Sequence, residues 1–203
     1  MPSRPAGHRA VVEAARAEFS ERGYGATSIR DIARRAGVSL SALYYYYTGK
    51  QELLVAILDD GLDTYFRGCE RALATVGEDP AEQLEALVSA SVRFRSEHRV
   101  KSSILQNEGR SLEPVHLARY RMSEERASRQ FRDVVERGVS VGIFLTPYPE
   151  DARRAVIGMC NAIAQWYSPD GSVGIDELVE RYVSLALTIV EYRPRSARRP
   201  VRD

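Results

Sequence analysis

Cysteine is nearly absent from this 203-residue chain: Cys69 and Cys160 are the only two, and they stand far apart. Neither a disulfide framework nor a CxxC metal pair can be built from them, so they read as small buried hydrophobes. The three histidines, His8, His98 and His116, have no second His, Cys or acidic partner at ligand spacing, so no metal site is expected. No apolar run approaches the roughly 18 residues that span a bilayer, and the N-terminal MPSRPAGHR lacks the apolar core of a signal peptide. The resulting expectation is a cytoplasmic protein with no membrane partner. A nucleophile elbow, a phosphate-binding glycine loop and a paired-carboxylate motif are missing too, so no enzyme and no cofactor is expected. Lysine occurs twice beside 27 arginines, which fits a GC-rich genome and carries no mechanism. Strand alternation and internal repeats are also missing, which leaves an all-α reading.

What is present is unevenly distributed. Residues 1–50 hold eight Arg and Lys against four Asp and Glu, and residues 193–203 hold five Arg against one Asp, so each segment is +4. With the whole chain at +1, the remainder is −7. A basic head on an acidic body fits a protein whose head alone meets nucleic acid.

The strongest pattern is residues 25–58, GATSIRDIARRAGVSLSALYYYYTGKQELLVAIL. Thr27 is a candidate N-cap, and Ile29, Ile32, Ala33 and Ala36 recur at helical spacing. Gly37 supplies a positive-φ stop, with Val38 plugging the turn. Ser39 caps a second short helix whose Leu43 and Tyr47 face inward, leaving Leu40, Ser41, Ala42, Tyr44, Tyr45 and Tyr46 on or near the outer surface. Two helices joined by a short glycine-containing turn form a helix-turn-helix, whose second helix enters the DNA major groove. Small and aromatic polar side chains seat such a helix deeply, and Arg30, Arg34, Arg35 and Lys50 against Asp31 give residues 27–50 a charge of +3 for a phosphate backbone.

The order of these motifs closely resembles the N-terminal domain of the TetR (tetracycline-repressor) family of one-component regulators. The likeness covers about residues 9–58. It rests on the Gly23, Tyr24, Ala26, Thr27 run, the IA..AGVS core, the Leu-Tyr-x-aromatic-aromatic string and a Lys followed by Glu-Leu-Leu. Tyr46 stands where His is frequent, and Leu40 where polar residues are frequent. The segment QWYSPDGSVGIDELVERYVSLAL resembles family members that respond to fatty acids and acyl-CoAs.

The resemblance implies a three-helix DNA-binding domain over residues 1–50 and a larger effector-binding and dimerisation domain over 51–192, about nine helices in all. A basic, disordered tail would occupy 193–203. Residues 1–7 read as a disordered arm with Arg4 able to touch phosphates. The first helix is expected from Arg9 to Arg22, and the fourth from Lys50 to about Val76, as a lever between the domains. Further helices are expected near Pro80–His98, Val100–Leu112 (less regular), Val115–Val141, Glu150–Ser168 and Ile175–Tyr192. Along Val115–Val141, four i,i+4 opposite-charge pairs (Arg121–Glu125, Glu125–Arg129, Arg132–Glu136, Asp133–Arg137) predict a solvated face.

On DNA, Thr27, Ser28, Tyr45, Tyr46 and Lys50 would hold phosphates, Arg30, Ser41, Ala42 and Tyr44 would face base edges, and Ser39 and Leu40 would open the recognition helix beside them. By family logic an effector binds among helices four to eight, where Phe66, Phe94, Tyr120, Phe131, Met159, Asn161 and Trp166 are candidates. The last two helices are apolar over wide arcs. A four-helix homodimer interface through Cys160, Ile163, Tyr167, Leu178, Tyr182, Leu185 and Ile189 would bury that excess. The expectation is a repressor that binds a palindromic operator on double-stranded DNA as a homodimer and is released by a small apolar or acyl-CoA-like effector. Two rivals are an architectural DNA-binding protein, with only salt-dependent affinity, and an all-α small-molecule-binding protein, which would bind no DNA.

Overall fold

A computed structural model describes residues 6–194, so Arg4 and residues 195–203 of the basic tail lie outside the described residues. The described residues form nine α-helices: α1 (Ala6–Ala26), α2 (Ile29–Arg35), α3 (Leu40–Tyr46), α4 (Lys50–Leu73), α5 (Pro80–Glu97), α6 (Arg99–Glu108), α7 (Pro114–Ser140), α8 (Pro149–Trp166) and α9 (Ile175–Ile189). A 3₁₀ turn, Gly109–Ser111, follows α6. None of these helices is long and apolar enough to cross a membrane. Helix α1 begins earlier than the sequence suggests, taking in Ala6 and Gly7 of the expected arm, and it breaks at Gly23 (φ 79°).

The head is held by the residues that the periodicity selects. Val11, Ala14, Ala15 and Phe19 of α1 meet Ile32 and Ala33 of α2 and Leu43 and Tyr47 at α3, all buried. Gly37 adopts φ 66°, the left-handed conformation that lets the chain turn from α2 into α3. The body is organised around α5, against which α4, α7, α8 and α9 all pack. Asp79 caps α5, its carboxylate accepting from the Ala81 and Glu82 amides, and Pro80 occupies the first turn. Leu84, Leu87, Val88, Ser91 and Phe94 then form the inward stripe. The loop between α7 and α8 is pinned to the end of α9, with the Leu145 amide donating to Val190 O at 3.1 Å and Arg193 N to Ile143 O at 2.8 Å.

Helix α7 corrects one expectation. The expected solvated face is present, with Arg121, Glu125, Arg129, Asp133, Glu136 and Arg137 exposed, but the four i,i+4 pairs are not formed among the described residues. Arg119, Arg126 and Arg132 reach α4 and α8, and Arg132 also meets Glu125 along its own helix. Arg119 pairs with Asp59 (3.1 Å), Arg126 with Glu70 (2.9 Å), and Arg132 with Glu125 (3.1 Å) and Glu150 (3.4 Å). Arg137 donates to Gln83. A long guanidinium beside a packed neighbour finds acceptors there that an isolated helix does not offer.

Candidate nucleic-acid interface and internal cavity

Helix α2 opens with a reciprocal capping box. Ser28 Oγ accepts from the Asp31 amide at 3.1 Å, and the Asp31 carboxylate accepts from the Ser28 amide at 3.1 Å. The Ser28 hydrogen bonds hold the Asp31 carboxyl below its ordinary value. Thr27 is therefore not the cap. Its hydroxyl is buried and donates to Gly23 O (2.9 Å) and Glu18 O (3.2 Å), which takes it out of reach of a phosphate. Ser39 caps α3, accepting from the Ala42 amide at 3.1 Å. With Leu43 and Tyr47 anchored inside, α3 presents Ser41, Tyr44 (48% exposed) and Tyr45 (84% exposed) outward; Leu40 and Ala42 are half-buried beside them. Tyr46 is half-buried against His8 in an edge-on ring contact, so the start of α1 braces the end of α3.

The local charge of +3 is not free for phosphates. Arg35 is clamped by Glu21 (2.5 and 2.6 Å) and Glu18 (3.2 Å), and Arg34 by Asp31 (2.5 Å). Lys50 donates to Tyr24 O (2.7 Å) and Thr27 O (2.8 Å) and lies 4.0 Å from the centre of the Tyr24 ring. Partial burial pulls its ammonium below the ordinary value, against the opposing charge of Glu108. Lys50 thus staples α4 to the turn before α2. Arg30 is exposed and has no ion pair among the described residues.

Helix α6 joins the head to the body. Its Glu108 accepts from the Tyr24 amide at 3.1 Å, and Asp60 of α4 is shared by Arg16 of α1 (2.6 Å) and Lys101 of α6 (2.9 Å). Leu105 and Gln106 of the same helix line a cavity of about 420 Å³ bounded also by α4, α5, α7 and α8. Leu62, Leu105, Tyr120, Phe131 and Ile157 make its apolar wall; Arg95, Gln106, Asn161 and Arg153 make a polar one. Gly109 admits the Tyr120 ring where a Cβ would collide, and Tyr120 Oη donates to Leu105 O at 2.5 Å, fixing that wall.

Of the expected effector residues, the cavity gathers Tyr120, Phe131 and Asn161. Phe66 and Phe94 are buried in the core outside it, and Met159 is half-buried on the core. Trp166 is 53% exposed at the end of α8, away from the cavity lining. Arg95 and Arg153 were missed, although each falls in register on an inward stripe: Arg95 follows Ser91 by four, and Arg153 precedes Val156 by three. An arginine on an apolar stripe is the signal that would have found them. Glu108, at a helix end, leaves no such mark.

The expected dimer face divides in the same way. Cys160, Ile163, Tyr167 and Leu178 are buried within the single chain, because their stripes already pack inward on the core, so they are not surface for a partner. Tyr182 and Ile189 are half-buried and Leu185 is 50% exposed; with Trp166 they leave an apolar surface on α8 and α9.

Comparison with known proteins agrees with this geometry. Residues 11–57 match the family model described as bacterial regulatory proteins, tetR family, and residues 77–190 match the tetracyclin repressor-like C-terminal domain. The transcriptional repressor KstR2 of Rhodococcus jostii (strain RHA1) is 33% identical over 174 residues, 83% of each chain. The solved structure of the ketosteroid transcriptional regulator KstR2 of Mycobacterium tuberculosis superposes with a TM-score of 0.83 at 26% identity, covering 93% of this chain and 95% of that one. AibR, solved with isovaleryl coenzyme A and operator DNA, shares the fold with a TM-score of 0.80 at 21% identity, over 88% of this chain and 97% of that one. With family models matched over residues 11–57 and 77–190 and a relative 33% identical over 83% of its length, the chain belongs to the tetR family of bacterial regulatory proteins.

Proposed function

We propose that this regulator represses transcription by binding a palindromic operator as a homodimer, and that an acyl-CoA or related amphipathic acid in the internal cavity releases it. The observation that carries the reading is the continuity of α6. Leu105 and Gln106 line the cavity, and Glu108, within the next turn, holds the Tyr24 amide of the head. A ligand that prefers a shifted α6 would change the pose of both heads and spoil their match to successive major grooves about 34 Å apart. The charge of the cavity supports an acidic ligand over a cationic dye: Arg95, Arg153 and Arg154 line it against the single Glu124. A coenzyme A thioester as ligand class is supported by AibR, which shares the fold and was solved in complex with isovaleryl coenzyme A and operator DNA.

On the operator, Arg30, Ser41, Ala42 and Tyr44 would face base edges. Ser28, Ser39, Tyr45, Tyr46 and Lys50 would meet phosphates, with Leu40 packing beside them. The dimer would form through the outer faces of α8 and α9, including Trp166 and Leu185, and the protein would act in the cytoplasm as a binding protein without enzymatic activity. A mobility-shift titration tests the switch, with the operator complex challenged by acyl-CoAs, free fatty acids, aromatic acids and cationic dyes. A coupling of about 1–3 kcal/mol lowers operator affinity about 5- to 150-fold, and the operator weakens effector binding by the same factor. Release by cationic dyes alone would overturn the acidic-effector reading, and release by nothing in the panel would mark a constitutive binder.

A further inference from the structure

The two inner arginines of the cavity are treated differently. Arg153 is neutralised by Glu150, at 2.7 and 3.0 Å, and also donates to Ser128. Arg95 has only neutral partners: Ser102 Oγ at 2.8 Å, Asn161 Oδ1 at 2.7 Å, and the rings of Phe94 and Tyr65 with centroids at 5.3 and 5.7 Å. Glu124, the one carboxylate on the cavity lining, stands exposed at the mouth with Arg154. The ionisable groups whose charge reaches Arg95 are Tyr65, Cys160, Tyr120 and Cys69. Burial pushes all four up, the thiols to about 12 for Cys160 and about 11 for Cys69, so at neutral pH none is an anion.

A cation withdrawn from water with no counter-charge is costly, and a purely structural tie between α5, α6 and α8 needs no charge at all. The unpartnered polar atoms beside it are two donors, Asn161 Nδ2 and the buried Arg95 Nε, and one acceptor, Gln106 Oε1. Asn161 engages its Oδ1 with Arg95 and its main-chain oxygen with Gln106 Nε2 (2.6 Å), while its Nδ2 has no partner among the described residues. A negatively charged acceptor such as a carboxylate fits the two donors and the uncompensated charge of Arg95.

We infer that Arg95 and Asn161 form an anion-reading subsite on the inner wall of the cavity, and that the effector carries a carboxylate at the inner end of its apolar part. This rests on the proposal that the cavity binds an acyl-type effector, and it makes that ligand polar at both ends. Leu62, Leu105, Phe131 and Ile157 contact the apolar middle, and any bulky group such as coenzyme A stays at the mouth beside Arg154 and Glu124.

Isothermal titration with two probes of equal chain length tests the inference: octanoyl-CoA, and the mono-CoA thioester of octanedioic acid. The diacid thioester is expected to bind the native protein at least about ten-fold more tightly, the effect of one added charge-assisted hydrogen bond. In Arg95→Gln that preference should disappear, and Arg95→Lys should restore part of it, with circular dichroism checking that each variant is folded. Should Arg95→Gln fail to fold, the native preference and its reduction in Asn161→Leu decide the question in the same way. Equal binding of both probes by the native protein, or a preference that survives in Arg95→Gln, overturns the subsite and leaves the effector cavity standing. If neither probe binds, and the cavity-filling Ala127→Trp leaves the response to every acid in the mobility-shift panel unchanged, the cavity reading falls and the subsite falls with it.

Discussion

The head and the body use arginine in opposite ways. In the head, Arg34 is tied to Asp31 along α2, and Arg35 to Glu18 and Glu21 of α1, which holds the two helices in register on the outside of the small core. In the body, Arg95 and Arg153 turn inward to a cavity, and one of them has no counter-ion. The head therefore works on its outer surface over an interior that only supports it, whereas the body works on its interior. Exposed substitutions in the head should alter DNA binding without altering stability, and substitutions on the cavity wall of the body should alter the response to effector.

The largest test of that contrast compares two apolar positions once expected on the same face. Ile163→Arg places a charge in the packed interior under α8, at a cost above about 3 kcal/mol, and should give insoluble or unfolded protein. Leu185→Arg, on the exposed arc of α9, should leave a soluble, helical monomer with weakened operator binding. Sedimentation velocity with far-ultraviolet circular dichroism separates the two. A Leu185→Arg protein that stayed dimeric would move the interface elsewhere.

Next in size, Tyr44→Ala and Arg30→Ala should each lower discrimination between operator and unrelated DNA by about 1–3 kcal/mol, with the melting temperature unchanged. If Tyr44→Ala retained the full preference for its operator, the orientation of α3 on DNA would need revision. A smaller effect is expected where head and body meet. Glu108→Ala removes the acceptor of the Tyr24 amide and should destabilise the joint by about 1 kcal/mol, read as faster hydrogen exchange at that amide.

The smallest effect depends on pH. Burial pushes the Asp60 carboxyl up, but Lys101 and Arg16 outweigh it and leave the group below its ordinary value. A carboxyl depressed on folding stabilises above its unfolded value of about 3.9 and loses that contribution as the pH falls through the folded value. The melting-temperature difference between the native protein and Asp60→Asn should thus be constant near neutral pH and vanish in acid. The underlying contribution of this half-exposed carboxylate to stability should be about 1 kcal/mol or less. A difference that persisted in acid would show that packing, not charge, joins α1 to α4 and α6 here.

Helix starts were readable at Ser39, whose side chain caps an amide three residues on, and at Pro80, whose fixed φ suits a first turn; the Asp79 cap beside it came only from the structure. The shift of one residue at Thr27 and Ser28 shows the limit. Both side chains can cap, and the choice was made by Glu18 O and Gly23 O, which drew the Thr27 hydroxyl inward.

The sequence by itself determined the helices, the inward stripes and the outward tyrosines of the recognition helix, since these follow from 3.6-residue periodicity and local capping. Only the tertiary structure decided which apolar faces were already covered. It buried Cys160, Ile163, Tyr167 and Leu178 in the chain's own core and left Trp166 and Leu185 outside. It also decided which arginines found carboxylates. Arg35 met Glu21 fourteen residues away, Arg153 met Glu150 on its own helix, and Arg95 met none. Periodicity states which way a side chain faces, but the identity of what it faces depends on helices distant in the chain, and that is where the charge balance of the cavity was set.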